Sequence, residues 1–161
     1  MPYRALLSYA DRQRPNKVYL VDLASKETLL VSGHLEPPIA PDEMHPGAVP
    51  AYHAFSPAAD VRGQPVYVNY GREADFQLLE EAGRVDPAGK ICLMRYGKLY
   101  RGNKVENGAR HGCLGVILFS DPSLVAPAGP SEGHVYPNGV WMNGKAMQRG
   151  NVGLVSVSRD R

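Results

Sequence analysis

Lys98, Arg101 and Lys104 crowd one short stretch, where the apolar run Ile91 to Met94 gives way to a helix-forming one. At a strand-to-helix junction, backbone N–H groups and cationic side chains point the same way, which is the chemistry of holding an anion. The segment from Gly97 to Gly102 lacks the Gly-x-Gly-x-x-Gly order of a dinucleotide cradle and the Lys-Ser/Thr ending of a triphosphate loop. By itself it reads as a solvated basic turn before it reads as a site. Histidine offers less. His34, His45, His53, His111 and His134 show no His-x-x-x-His spacing and no pairing with cysteine at zinc-site spacing. Most lie in proline-rich loops and read as solvated or structural. Asp121 before Pro122 fits a turn-initiating carboxylate better than a catalytic one, and no Gly-x-Ser-x-Gly elbow anchors a serine triad.

The elements that position these residues follow from periodicity and punctuation. Prolines and glycines cluster at 36–50, 56–65 and 122–144, which marks loops. Short β-branched and aromatic runs between them predict strands over 4–9, 17–23, 28–32, 65–70, 90–96 and 114–120, with a last one over 152–157. A helix is expected over 72–83, with Phe76, Leu79 and Glu80 at helical spacing and Leu78 and Ala82 widening its buried stripe. Glu73 and Asp75 suit its positive end, and Gly83 its stop. A second helix is expected over 103–112, with Val105, Ala109 and Cys113 in one apolar line and small residues Gly108 and Ala109 allowing close approach to a sheet. Alternation of strand and helix from residue 66 to 119 implies parallel neighbours joined by right-handed crossovers. The short turn at 24–26 implies an antiparallel hairpin before them. The expected class is mixed α/β, a central mixed sheet flanked by helices.

Composition sets outer limits. The 161 residues suffice for one domain with a hydrophobic core. A net charge of +2 is too small to draw nucleic acid or a membrane surface by field alone. No run approaches the length of a membrane helix, and residues 1–10 lack the apolar core of a secretory signal. The two cysteines, Cys92 and Cys113, each sit in an apolar run and read as buried free thiols, with a bridge between them the less supported alternative. The compartment stays open on composition.

The run Arg95-Tyr96-Gly97-Lys98-Leu99-Tyr100-Arg101-Gly102-Asn103-Lys104-Val105-Glu106-Asn107 continues into Gly112-Cys113-Leu114-Gly115-Val116-Ile117-Leu118-Phe119-Ser120-Asp121-Pro122. With Val66 to Tyr70, Glu73-x-Asp75-Phe76, Tyr136-Pro137 and Gln148-Arg149-Gly150-Asn151, it resembles the protease-associated (PA, or apical) domain of the glutamate carboxypeptidase II family, relatives of the transferrin receptor. The resemblance spans about Tyr3 to Asn151. It implies a lead-in from a peptidase domain over 1–16, the PA domain over 17–151 and a divergent tail over 152–161. That tail replaces the family's Gly-Asp-Pro-Leu-Thr-Pro-like continuation, which contributes to a structural calcium site.

The resemblance also implies function. The apical domain would close one side of a substrate funnel over a two-zinc peptidase domain, as a lid that binds an acidic peptide through its C-terminal carboxylate. Arg101 would grip that carboxylate and Asn151 would assist. A planar guanidinium matches a carboxylate bidentately and an amide adds a donor without charge. Zinc, and calcium where present, would belong to the full-length parent, and this chain would hold no cofactor and show no activity alone. Implied partners are the parent's peptidase domain, a small peptide ending in glutamate and a second parent copy, with no nucleic acid. The implied location is the extracellular side of a membrane-anchored protein. Arg101-Gly102-Asn103 favours the peptidase branch over the receptor branch. Two rival readings are a non-catalytic interaction module and a truncated isoform lacking activity.

Overall fold

A computed structural model describes residues 8–33, 36–43, 45–127, 129 and 133–154. In chain order its elements are β1 (Tyr19–Val21), β2 (Thr28–Val31), a 3-10 turn (Pro41–Glu43), β3 (His53–Ala54), β4 (Pro65–Tyr67), α1 (Glu73–Glu81), β5 (Ile91–Arg95), α2 (Arg101–Arg110), β6 (Gly115–Phe119), α3 (Pro122–Val125) and β7 (Gly150–Asn151). Residues 4–7 of the expected strand over 4–9 and 155–157 of that over 152–157 lie outside the described residues, as does His34; the described parts, 8–9 and 152–154, are not strand. The chain divides into two units, one made of residues up to 54 with 126–150, the other of 55–125 with those from 151.

In the second unit β4, β5 and β6 form a parallel sheet in that order. Its register aligns Val66, Cys92 and Val116 across the three strands. Because side chains alternate between faces, Val66 and Val68, Cys92 and Met94, and Val116 and Leu118 share one face. There they meet Phe76, Leu79 and Val85 to make the core, with Phe76, Cys92 and Met94 fully buried. The other face carries Tyr67 and Phe119, whose ring centroids lie 6.4 Å apart and which stay partly exposed. The α/β class holds. Its strands, expected in one mixed sheet, are instead divided among small sheets, and among the described residues the β1–β2 hairpin forms a sheet of its own.

Three local expectations change. Leu78 is 65% exposed, so the buried stripe of α1 is narrower than its hydrophobicity suggests and runs through Phe76 and Leu79. On α2, Ala109 is exposed and the buried positions are Gly102, Lys104 and Gly108. Gly108 does allow close approach, since a Cβ there would stand 2.8 Å from a Val116 methyl. The cysteines are not free thiols: Cys92 and Cys113 form a disulfide with their Cα atoms 6.0 Å apart. Parallel pairing of β5 with β6 brings Cys113, two positions before β6, beside β5, a proximity that a separation of 21 residues does not advertise.

The first unit holds the antiparallel hairpin, with Leu20 opposite Leu30. It also contains a polar cluster in which Glu36 accepts from the Arg149 guanidinium and the Met147 N–H, and Arg149 donates to the Val49 carbonyl at 3.2 Å. Asp11 is paired with Arg14 at 2.9 Å near its start.

Candidate functional site

The basic stretch meets the second unit at the N-terminus of α2. Tyr100 is the N-cap residue with extended backbone (φ −62°, ψ 142°), and Arg101 opens the helix. The half-buried Arg101 guanidinium stands 6.0 Å from the Tyr96 ring and 5.8 Å from the Tyr100 ring, within the range of cation–π attraction to both. Burial pushes the Tyr96 hydroxyl up, and the charge of Arg101 beside it acts the other way.

Asn151, 50 positions away in sequence, comes to the same place. The Tyr100 hydroxyl lies 2.9 Å from the Asn151 carbonyl and 3.3 Å from the Gly153 carbonyl, and closer still to the Asn151 side-chain Oδ1. Gly102 makes this approach feasible. A Cβ there would stand 2.6 Å from the Tyr100 ring and 2.8 Å from the Val152 carbonyl, contacts that real Cβ atoms do not make. Arg101 and Asn151 are thus brought together around one tyrosine. Tyr100 itself was missed by sequence reasoning; the only signal was an aromatic residue directly before the arginine.

The other two cations separate. Lys98 stays exposed in a left-handed turn conformation (φ +65°). Lys104 does not face an anion at all. It is fully buried, and its ammonium donates to the Tyr70 carbonyl and, at 2.7 Å, to that of Gly97. Burial pulls its pKa down to about 8, against the opposing pull of the Asp75 charge. The three-cation cluster suggested by spacing is therefore corrected. The amine ties the loops after β4 and β5 together by donating to one carbonyl of each, Tyr70 and Gly97. Tyr70 helps accommodate the charge: Arg95 lies 4.0 Å from its ring centroid, Lys104 5.5 Å and Arg72 5.6 Å.

Flanking groups are structural. Asp121 pairs with Arg95 at 2.7 Å and accepts from the Ser123 backbone and hydroxyl, a turn role. At the start of α1, Asp75 accepts from the Arg72 N–H at 3.0 Å, from its guanidinium and from Asn69. Burial alone would raise this carboxyl; those bonds outweigh it and hold it at about 2. His111 stacks on Phe76 at 4.1 Å, with its two ring nitrogens at Glu80 (2.7 Å) and Glu73 (3.1 Å). His45 Nδ1 accepts from the Gly47 N–H.

Among the described residues no group of three or more His, Cys, Asp or Glu side chains converges to hold a metal. The histidines at 45 and 111 are engaged in a turn and a helix contact, so these residues do not fit a two-zinc centre. Also among the described residues, no helix is long and apolar enough to cross a membrane.

Comparison with known proteins agrees with this architecture. The family model of the PA domain matches residues 48–157. A glutamate carboxypeptidase 2 homolog of Caenorhabditis briggsae is 42% identical over 94% of this chain and 20% of its own length. A probable glutamate carboxypeptidase of Arthroderma benhamiae is 38% identical over 70% of this chain and 16% of its own. Human transferrin receptor protein 2 is 33% identical over 72% and 13% respectively. The chain spans about a fifth of the length of the first of these curated relatives. With a parallel β-α-β-α-β core inside the matched span, and relatives of this kind along most of its length, the chain belongs to the PA domain family, in the form carried by glutamate-carboxypeptidase-like proteins.

Proposed function

We propose that this PA domain is the substrate-gripping lid of a zinc-dependent carboxypeptidase that removes acidic C-terminal residues from small peptides. Arg101 receives the substrate carboxylate as a bidentate fork, and Asn151 donates to a second oxygen. The observation that carries this reading is the convergence of these two residues on Tyr100 at the positive end of α2. The chain's own residues bind and orient; bond cleavage belongs to a separate peptidase domain of the parent, which holds the metal. The apolar β1–β2 hairpin, exposed throughout, supports a parent domain as partner. The Cys92–Cys113 disulfide supports an oxidising compartment, in keeping with an extracellular location.

In the full-length parent, Arg101→Ala should weaken binding of a glutamate-containing inhibitor by roughly 10- to 100-fold, the worth of a charge-assisted bond. The purified 161-residue chain supplied with zinc should release no glutamate from a peptide that ends in it. Metal-dependent release would overturn the division of labour. Similarity to a receptor favours a second reading, an interaction module with no substrate role. Unchanged inhibitor affinity in Arg101→Ala would select it.

A further inference from the structure

Arg101 and Asn151 share a neighbour that does more than separate them. Tyr100 offers its ring to the guanidinium at 5.8 Å and its hydroxyl to the asparagine. We infer that Tyr100 is a positioning residue for anion recognition: through its hydroxyl it holds the Asn151 amide with the NH2 edge turned outward, beside Arg101. The inference rests on the substrate-gripping reading above and deepens it.

A phenol has one proton, and among its three oxygen neighbours the closest is Oδ1 of Asn151. An amide anchored by its oxygen presents its two N–H donors on the opposite edge, away from Tyr100. Asn151 is exposed, so without that anchor its side chain rotates in water and a ligand has to order it on binding. Anchoring moves this ordering cost into the folding of the domain, the general logic of preorganisation. The arrangement is built rather than incidental. Gly102 leaves room for the Val152 carbonyl and the Tyr100 ring to lie against the first turn of α2, where any side chain would push them away. Phenylalanine at position 100 would keep the ring and its contact with Arg101 and lose only the anchor.

The test uses the 161-residue chain, with N-acetyl-L-glutamate as probe and the side-chain NMR signals of Arg101 Nε and Asn151 Nδ2 as readouts. In the wild type both signals should shift with one common Kd. In Tyr100→Phe the Arg101 signal should still shift, the Asn151 signal should cease to respond, and Kd should rise about 5- to 10-fold, the worth of one hydrogen bond. Asn151→Ala should raise Kd by the same factor, and the double variant should be no weaker than either single one, since both remove one contact. An unchanged Kd and Asn151 response in Tyr100→Phe overturns the inference and leaves the role of Arg101 standing. Additive losses in the double variant overturn it too, even if Tyr100→Phe folds poorly, once corrected for the folded fraction. A wild type whose Arg101 signal ignores the probe sinks the substrate-gripping reading and the positioning role with it. The wild-type and Tyr100→Phe Asn151 signals without probe still show whether the anchor forms.

Discussion

Two buried ionisable side chains in the second unit each make it more stable as pH rises, in separate windows. Asp75 is held at about 2 by Arg72 and Asn69, below the ordinary 3.8. A carboxyl so depressed contributes stability that is present above about pH 4 and lost as pH falls toward 2. Asp75→Asn should therefore be less stable than wild type at pH 6, by about 1–2 kcal/mol given that Arg72 is half exposed, and the gap should close by pH 2 in urea titrations. Lys104 has the same sign in an alkaline window. With its pKa pulled to about 8, the unfolded chain binds more protons than the folded one between there and 10.5. Stability relative to Lys104→Met should rise by roughly 2–3 kcal/mol across that window. A flat difference would mean that the amine reaches water. The place of Asp75 at the helix start was legible in sequence; the role of Lys104 was not. Lys104 stands in line with Lys98 and Arg101, and spacing alone cannot tell a cation that faces a ligand from one that closes two loops.

At the scale of elements, periodicity foretold most of the layout. The two helices, the three core strands, their parallel order and the antiparallel hairpin follow from apolar patterning and turn residues, with ends displaced by at most three residues. What patterning missed is how α2 sits. Its buried residues include Lys104 and Gly108 rather than Val105 and Ala109: Gly108 lies where a Cβ would meet the Val116 and Met94 side chains, and the Lys104 amine turns inward onto the Tyr70 and Gly97 carbonyls. The disulfide belongs to this scale as well. Closing a loop of 21 residues should stabilise the fold by about 3 kcal/mol through the unfolded chain. Cys92→Ala with Cys113→Ala should lower the denaturation midpoint accordingly. The denatured, unreduced wild-type chain should expose no thiol to maleimide; two reactive thiols would refute the bridge.

For the whole molecule, the feature left unexplained by its own core is the β1–β2 hairpin, whose Tyr19, Leu20, Val21, Leu29, Leu30 and Val31 are all exposed. Apolar surface on a paired ribbon favours association. The isolated chain should self-associate with rising concentration, and Leu20→Lys with Leu30→Lys should shift sedimentation toward monomer. Equal behaviour of the two would show that the ribbon is already covered.

Family membership was readable from the chain itself, because a run of motif residues in order survives without coordinates. Local chemistry also decided where strands and helices begin, since turn residues and apolar spacing act over a few positions. Tertiary structure alone decided that Lys104 turns inward, that Cys92 meets Cys113, and that a tyrosine hydroxyl meets Asn151. Those outcomes depend on which segments distant in sequence are packed within a few ångströms, and residue types along the chain do not encode that distance one position at a time.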